Sequence, residues 1–182
     1  MADRKRPYHH GKLKEALLEQ AAIVLKEAGA DELSLRELAK KIGVSPNAPY
    51  RHFTDKAHLQ AILAARGFDD LTKLLQAVSV EGPGKRLREA ADRYFAFGSE
   101  HAGLYQLMFT CSAGVEELDS ARDRFLAELK EMVRVFIDET TINEDVEKAT
   151  IATWSLWHGG VTLQSTVSGS DLTRMLGKGI RD

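Results

Sequence analysis

An all-helical fold of about nine helices is predicted by three features of this 182-residue sequence. Apolar residues recur at spacings of three and four along most of the chain, which is the pattern of helices that bury one face. No stretch alternates apolar and polar residues convincingly with period two, so no sheet is expected. Short breaks that contain glycine, serine or aspartate divide the apolar pattern into segments of ordinary helix length.

The first two helices have clear start and stop signals. An amphipathic helix is predicted over residues 11–28, and Gly29 ends it because glycine readily adopts the left-handed conformation that follows a helix. A second helix begins at Ser34, whose hydroxyl can accept a hydrogen bond from a free amide while Glu37 reaches back, the arrangement called a capping box. Its apolar face is predicted to consist of Leu35, Leu38, Ala39 and Ile42.

A third helix is predicted over residues 45–53, only about three residues after the second ends. Gly43 stands where a left-handed residue would close the second helix, and Ser45 followed by Pro46 is typical of an N-cap with proline at the first helical position. Two short helices joined by a glycine-containing turn form a helix-turn-helix motif. Pro49 conflicts with this prediction, because a proline inside a helix deletes a hydrogen bond and crowds the preceding turn, which only a very short helix tolerates.

The rest of the chain continues the helical pattern. Thr54-Asp55 supplies a fresh cap for a fourth helix that begins near Lys56 and ends at about residue 80, where a Gly-Pro-Gly stretch makes the clearest interior break. Asn143 and Ser170 are predicted to cap the last two helices. The remaining helices are predicted at residues 85–101, 102–110, 117–139, 143–168 and 171–181.

The charge is divided unevenly between two predicted domains, a three-helix helix-turn-helix domain at residues 1–58 and a helical bundle at residues 59–182. The net charge of -2 separates into +3 for the first domain, histidines uncounted, and -5 for the second. This asymmetry is expected if only the N-terminal end contacts phosphate. The basic N-terminal arm, which includes Arg4, Lys5 and Arg6, is expected to make DNA binding strongly salt-dependent.

Composition excludes several classes of protein. A hydrophobic content of 43% and a charged content of 29% are ordinary for a folded globular chain. The sequence lacks both the apolar run of about 18 residues that a membrane span requires and a signal peptide, so a cytoplasmic protein without membrane contact is expected. The single cysteine, Cys111, forms no internal disulfide, and neither it nor His9-His10 has partners at metal-ligand spacing. No metal site or cofactor is therefore predicted.

The third predicted helix carries the residues suited to reading DNA, because the second helix of such a motif enters the major groove. Asn47 can pair with adenine through two hydrogen bonds, and Ala48 can pack on a thymine methyl group. Tyr50 lies one turn later, where a side chain binds phosphate and positions the protein without specifying sequence. Lys56 adds its charge to the free amides at the next helix start. The candidate DNA-binding residues are Ser34, Arg36, Ser45, Asn47, Ala48, Tyr50, Arg51, His52 and Lys56.

The C-terminal part is rich in aromatic residues, most of which are expected to be core. Gly159 and Gly160 follow Trp157 and His158, and two glycines inside a helix cost about 2 kcal/mol of helix propensity relative to alanine. Close approach of another helix, or room for a bound molecule, would compensate. The candidate ligand-binding residues are Tyr94, Phe97, Tyr105, Met108, Phe109, Trp154, Trp157 and His158.

The chain resembles the tetracycline-repressor (TetR) family over most of its length. In the N-terminal third the resemblance is carried by Ser34-Leu35-Arg36-Glu37-Leu38-Ala39, Gly43-Val44-Ser45, Tyr50-Arg51-His52-Phe53, Asp55-Lys56 and Leu59. Tyr8-His9-His10-Gly11 and Trp157-His158-Gly159 resemble a subgroup with a so-called WHG C-terminal domain.

This resemblance implies a homodimer, formed through the last two long helices, whose two recognition helices read a palindromic operator in double-stranded DNA. It also implies a repressor that releases DNA when an unidentified small molecule binds. Two positions depart from the family pattern, since Ala57 replaces the usual Glu and Pro49 replaces the usual Leu, Val or Ile. Residue by residue, the resemblance places Arg36, Asn47 and Ala48 near bases and Tyr50, His52 and Lys56 on phosphates.

Two other kinds of function fit parts of the sequence. A helical dimeric interaction or scaffold protein would retain the motif for structural reasons and would bind DNA without sequence preference. An enzyme fits less well, because the sequence shows no paired-carboxylate, nucleophile or phosphate-loop signature. We therefore predict a non-enzymatic, ligand-responsive regulator of transcription.

Overall fold

Seven α-helices make up most of the computed structural model, which describes residues 10–112, 114–140 and 144–163. These residues contain no β-strand, so the predicted all-helical class is confirmed for them. Two short 3-10 turns, Ala30–Glu32 and Pro49–Arg51, lie in the N-terminal part. The helices are α1 (His10–Ala28), α2 (Leu35–Lys41), α3 (Lys56–Gln76), α4 (Pro83–Glu100), α5 (Ala102–Thr110), α6 (Glu116–Thr140) and α7 (Val146–Thr162).

The described residues hold fewer helices than the nine predicted. The predicted helix at residues 45–53 is wrong, because this stretch forms turns, of which Pro49–Arg51 is the only helical one and is of the 3-10 type. The predicted helix at residues 171–181, with its cap at Ser170, lies outside the described residues. The other seven predicted helices are present, with ends that differ by a few residues.

The start of α7 differs from the prediction. Asn143 lies outside the described residues, and the helix begins at Val146, after Asp145. The Asp145 carboxylate caps α7 by accepting a hydrogen bond from the amide of Lys148 at 3.1 Å. A carboxylate suits this position because it satisfies a free amide and faces the positive end of the helix dipole.

α3 is the central helix of the fold and contacts α1, α4, α5 and α6. Its residues Leu59, Phe68 and Leu71 are each 0% exposed. Burial of one such side chain contributes about 1.5–3 kcal/mol. Gly67 lets α5 approach closely, since a Cβ atom there would lie 2.5 Å from Sδ of Met108. α3 therefore holds both ends of the molecule together.

One connected set of buried apolar side chains runs from α1 to α7. Leu17 of α1, Phe68 of α3, Phe125 of α6 and Trp157 of α7 are all 0% exposed. The predicted domain boundary after residue 58 falls inside α3 and stays a prediction. None of the described helices combines the length and apolar character needed to cross a membrane.

α4 and α7 pack tightly at Gly98, a residue that the sequence analysis did not single out. A Cβ atom at Gly98 would overlap Cγ1 of Val161 and lie 3.0 Å from its Cγ2. The absence of a side chain at Gly98 therefore lets α7 lie directly against the backbone of α4. This contact also keeps Trp157 against Tyr94, whose ring centroids are 5.5 Å apart.

Gly98→Ala is expected to destabilise the fold by about 1–3 kcal/mol, because an added methyl group overpacks this contact. Urea unfolding followed by circular dichroism measures the change. Gly84→Ala in the first turn of α4 is the control, since a Cβ atom there would lie 3.6 Å from Phe136, an ordinary contact. Alanine in a helix is worth about 0.5–1 kcal/mol over glycine, so the control should be neutral or stabilised. Equal effects of the two substitutions would contradict tight packing at Gly98.

Candidate functional site

The end of α2 directs the chain into residues 45–53, which we call the reader segment. Gly43 has a φ of 74°, a conformation that glycine adopts without strain. Its amide donates to the carbonyl of Lys40 at 3.2 Å, and the amide of Val44 donates to the carbonyl of Ala39 at 2.9 Å. These two bonds form a Schellman motif. The stop signal predicted at Gly43 is thus confirmed.

The reader segment is built from turns because Pro49 has no amide hydrogen. The amide of Ala48 donates to the carbonyl of Ser45 at 3.0 Å, closing a tight turn. In an α-helix that carbonyl would accept from residue 49, which proline prevents. The amides of His52 and Phe53 then both donate to the carbonyl of Pro49, at 2.9 and 3.0 Å. The conflict between Pro49 and a helix is visible in the sequence, and the helix predicted at residues 45–53 is wrong for this reason.

The side chains of the reader segment divide into an inner and an outer set. Pro49 and Phe53 are buried, and Phe53 is 0% exposed, so both anchor the segment to the protein. Tyr50 is 46% exposed although it lies between these anchors. The polar side chains that face solvent are those of Ser45, Asn47, Tyr50 and Arg51.

Two predicted DNA-binding residues in the reader segment are less accessible. Ala48 is half-buried and packs against the hydrophobic core. His52 is also half-buried, and its ring meets the edge of Phe53 with centroids 6.5 Å apart. Contact of Ala48 with a thymine methyl group and of His52 with phosphate stay predictions.

Ser34 and Arg36 occupy the first turn of α2. The Ser34 hydroxyl accepts from the amide of Glu37 at 3.5 Å, as predicted. The carboxylate of Glu37 lies 3.7 Å from Nζ of Lys40, instead of closing the predicted capping box. Arg36 is exposed.

Lys56 begins α3, and its ammonium group already has a partner inside the protein. Nζ donates to the carbonyl of Asp31 at 2.7 Å, and Nε2 of Gln60 donates to the carbonyl of Ala30 at 3.1 Å. Asp55 caps the helix by accepting from a backbone amide of the first turn at 2.8 Å, as predicted. These bonds fasten α3 to the turn between α1 and α2. Because the reader segment leads directly into α3, Lys56 helps to hold that segment in place.

Six of the eight predicted ligand-binding residues meet where α4, α5 and α7 converge. Phe125 of α6 joins them, at 6.1 Å from Tyr94 and 6.2 Å from Trp154 between ring centroids. The closest ring pair joins Phe109 and His158, whose centroids are 4.2 Å apart. We call this group the aromatic cluster, which comprises Tyr94, Tyr105, Phe109, Phe125, Trp154, Trp157 and His158.

A chain of hydrogen bonds crosses the aromatic cluster. Nε1 of Trp154 donates to Oη of Tyr94 at 3.3 Å, and the hydroxyls of Tyr94 and Tyr105 lie 2.9 Å apart. Oη of Tyr105 lies 2.7 Å from Nδ1 of His158, whose Nε2 lies 3.5 Å from Oγ1 of Thr162. All these groups are satisfied if each tyrosine donates toward His158 and the imidazole carries its proton on Nε2.

Burial keeps the members of this chain uncharged. It raises the pKa of Tyr94 to about 12 and raises the pKa of Tyr105 well above its ordinary value. It lowers the pKa of His158, because an imidazolium would lose hydration there. The cluster therefore combines polar atoms with an absence of net charge at neutral pH.

Two predicted ligand-binding residues point elsewhere. Phe97 is buried on α4, and its ring lies 5.0 Å from that of His101. Met108 is 0% exposed and its sulfur faces Gly67 of α3. Phe125 was not among the predicted ligand-binding residues.

The sequence raised the question of whether the glycines after His158 allow another helix to approach closely, and the structure describes this for Gly159. A Cβ atom at Gly159 would meet no atom of the described residues within 4 Å. Close approach of another described helix therefore does not explain this glycine, and the tight approach is made at Gly98 instead. Among the described residues, none therefore covers the side of α7 at Gly159, next to His158.

A separate cleft of about 640 Å³ lies near the start of α3 and the connection from α5 to α6. Its lining includes Asp31, His58, Cys111 and Glu116, and none of the predicted ligand-binding residues. Within the part of the chain that the structure describes, no three His, Cys, Asp or Glu side chains are grouped as a metal site requires.

Two family models match the chain on either side of residues 63–86. The model for "Bacterial regulatory proteins, tetR family" matches residues 17–62, which include α2 and the reader segment. The model for "Tetracyclin repressor-like, C-terminal domain" matches residues 87–170, which include the aromatic cluster. The chain belongs to the TetR family. Relatives in this family are described as regulators of transcription.

Individual relatives agree with this membership. An HTH-type transcriptional regulator of Haemophilus influenzae is 25% identical over 131 residues, which are 70% of this chain and 61% of that relative. A protein with unknown function from Rhodococcus sp. RHA1 has a TM-score of 0.82 and 26% identity, with 97% of each chain covered. The TetR family transcriptional regulator PfmR from Thermus thermophilus shares the fold, with a TM-score of 0.65 and 22% identity over 90% of this TetR chain and 96% of that one.

Pro49→Leu is expected to convert the reader segment into a short α-helix, because the new amide can donate to the carbonyl of Ser45. Hydrogen exchange by NMR should find that amide protected about fivefold, as a bond of about 1 kcal/mol implies. Pro46→Leu is the control, because an amide in the first turn has no helical acceptor. Similar exchange rates at the two new amides would contradict this account of Pro49.

His158 is expected to make the fold less stable in weakly acid solution. Its pKa is lowered on folding, so the unfolded chain binds more protons, and the stability present above about pH 6.5 is lost as the pH falls through the folded pKa. Among the described residues, the groups that face His158 are Tyr105, Phe109, Trp154 and Thr162, of which Tyr105 is titratable only at alkaline pH.

His158→Asn keeps an acceptor for Tyr105 and removes the titration. We expect its free energy of unfolding to fall less between about pH 7 and pH 5 than that of the unmodified protein, in urea unfolding at each pH. The other histidines are common to both proteins and cancel in the comparison. Parallel pH profiles would contradict a buried, neutral His158.

Proposed function

We propose that this protein represses transcription by binding a palindromic operator as a homodimer, and that a small molecule releases it. The observation that carries the DNA-binding step is the reader segment, in which Asn47, Tyr50 and Arg51 are exposed while the neighbouring Pro49 and Phe53 are buried. Exposed polar groups on a fixed backbone meet the requirement for reading base edges and phosphates.

Roles within the reader follow from chemistry and exposure. Asn47 stands at the tip of the first turn and is suited to bidentate pairing with adenine. Tyr50 and Arg51 follow it in the segment and are suited to bind phosphate. Arg36, exposed on the first turn of α2, is proposed to reach the groove or the backbone beside them.

We propose that the dimer forms through α6 and α7. Ile151 of α7 is 62% exposed and Leu163, which follows α7, is 81% exposed, and exposed apolar side chains of this size favour a partner surface. Twofold symmetry would then present two reader segments to half-sites about one helical turn, or a multiple of it, apart. The division into a DNA-binding domain at residues 1–58 and a ligand-binding and dimerising domain at residues 59–182 is part of the same proposal.

We propose the aromatic cluster as the ligand site and a WHG-type C-terminal domain as its setting. Support comes from Trp157-His158-Gly159, of which Trp157 is fully buried, His158 is bonded to Tyr105, and Gly159 faces no other described residue. The cytoplasm, where bacterial DNA lies, is the proposed location.

A scaffold without sequence preference is the second candidate. The two candidates differ in what Asn47→Ala and Arg51→Ala do to DNA binding. Selection from randomised duplexes, followed by affinity measurements at several salt concentrations, separates them.

If the reader segment reads sequence, Asn47→Ala should weaken binding to the preferred site by about 1–3 kcal/mol for each half-site and relax the preference at one base pair in each half-site. Arg51→Ala should weaken binding to all duplexes similarly and lower the salt slope by about 1.8, because each subunit of the dimer loses one phosphate contact worth about 0.9. Each variant serves as the control for the other, because both replace an exposed side chain of the same segment. Equal preference for all duplexes in the unmodified protein would favour the scaffold.

A further inference from the structure

We infer that the aromatic cluster binds an uncharged, planar aromatic molecule that carries a hydrogen-bond acceptor and enters between α5 and α7. The inference rests on the proposed ligand response and names the class of ligand. It is carried by three features of the cluster, which are its lack of charge, a buried donor without an acceptor, and a side open to rearrangement.

Because the side chains of the aromatic cluster are uncharged, the cluster disfavours a charged ligand. The cluster contains four aromatic hydrocarbon or indole side chains, two tyrosines that stay protonated and one imidazole that stays neutral. A carboxylate placed among them would lose its water and find no cation among the seven side chains of the cluster, which is costly in a region of low dielectric. Flat ring walls favour a flat partner, because aromatic groups pair edge to face or with offset stacking.

The buried donor is the indole nitrogen of Trp157. Trp157 is 0% exposed, and its Nε1 has no hydrogen-bond partner among the described residues. Trp154, Tyr94, Tyr105 and His158 all have partners within the hydrogen-bond chain. A buried donor without an acceptor destabilises a protein, and a carbonyl oxygen or ring nitrogen of a ligand would satisfy it.

The open side lies between α5 and α7. These helices meet there through the rings of Phe109 and His158, which are both half-buried. Trp154 is also half-buried, and no described residue lies within 4 Å of a Cβ atom placed at Gly159. Rotation of His158 and Trp154 toward solvent would make room for a flat molecule without moving either helix.

Such a rotation explains why the ligand needs an acceptor. When His158 leaves, the Tyr105 hydroxyl loses the nitrogen that lies 2.7 Å away. A ligand acceptor would replace that nitrogen or engage Trp157. A hydrocarbon of the same shape would leave both donors unsatisfied and should bind more weakly.

Three probes of one shape test the class of ligand. 2-Acetylnaphthalene is uncharged and has an acceptor, 2-naphthoate has the same ring with a negative charge, and 2-ethylnaphthalene has no acceptor. Isothermal titration calorimetry measures the affinity of each for the full-length protein, and anisotropy of labelled operator DNA measures release. We expect 2-acetylnaphthalene to bind about tenfold tighter than either of the others.

Two variants locate the site. Trp157→Phe keeps a ring and removes the donor, so it should weaken binding of 2-acetylnaphthalene about fivefold and leave 2-ethylnaphthalene unchanged. Gly159→Val places a side chain on the uncovered side of the cluster among the described residues and should abolish binding of both probes. Thermal unfolding checks that each variant is folded, and Gly159→Val carries the test if Trp157→Phe is not.

The outcomes separate this inference from the proposed function. If the protein binds operator DNA but 2-naphthoate binds as tightly as 2-acetylnaphthalene, or no probe binds, the ligand class is wrong and the proposed regulator stands. If 2-acetylnaphthalene binds as expected but no duplex is preferred, the proposed function fails and the ligand site stands. If Gly159→Val leaves the affinity for the probes unchanged, the binding site lies elsewhere and the inference is overturned.

Discussion

Burial of α3 on almost every side is the constraint on which the structure depends. The helix begins beside the DNA-facing end, where Asp55 caps it two residues after the buried Phe53. It then reaches the aromatic cluster, where Phe68 packs on Phe109 and Phe125 with centroids 5.5 and 5.9 Å apart. Since α3 shares core contacts with both ends, packing fixes the position of the reader segment relative to the aromatic cluster, and a flexible linker plays no part between them.

The N-terminal third was largely predictable because its signals are local. A serine cap, a glycine stop and an aspartate cap act within four residues of their own position, so Ser34, Gly43 and Asp55 could be interpreted without the rest of the molecule. The failure at residues 45–53 is also local in origin. The Ser45-Pro46 start signal favoured a helix, but Pro49 removes the amide that the helix needs, and backbone chemistry decided the outcome.

The aromatic cluster was predictable in composition and not in its contacts. Side chains on four helices reach it, and helical periodicity says which face is apolar but not which neighbour that face meets. Phe97 and Met108 therefore turned out to face His101 and Gly67, while Phe125 had no sequence signal that distinguished it from other core residues. Gly98 escaped notice for the same reason, since its importance lies in a contact with Val161 that only the tertiary structure supplies.

The placement of the tryptophans gives the molecule a natural optical reporter. The chain has two tryptophans, and both lie in the aromatic cluster at the far end of α3 from the reader segment. Their fluorescence cannot respond directly to a base or phosphate that touches Asn47 or Arg51. Any change of emission on adding duplex DNA would therefore have travelled through the protein, and its size would measure communication between the two ends without an added dye.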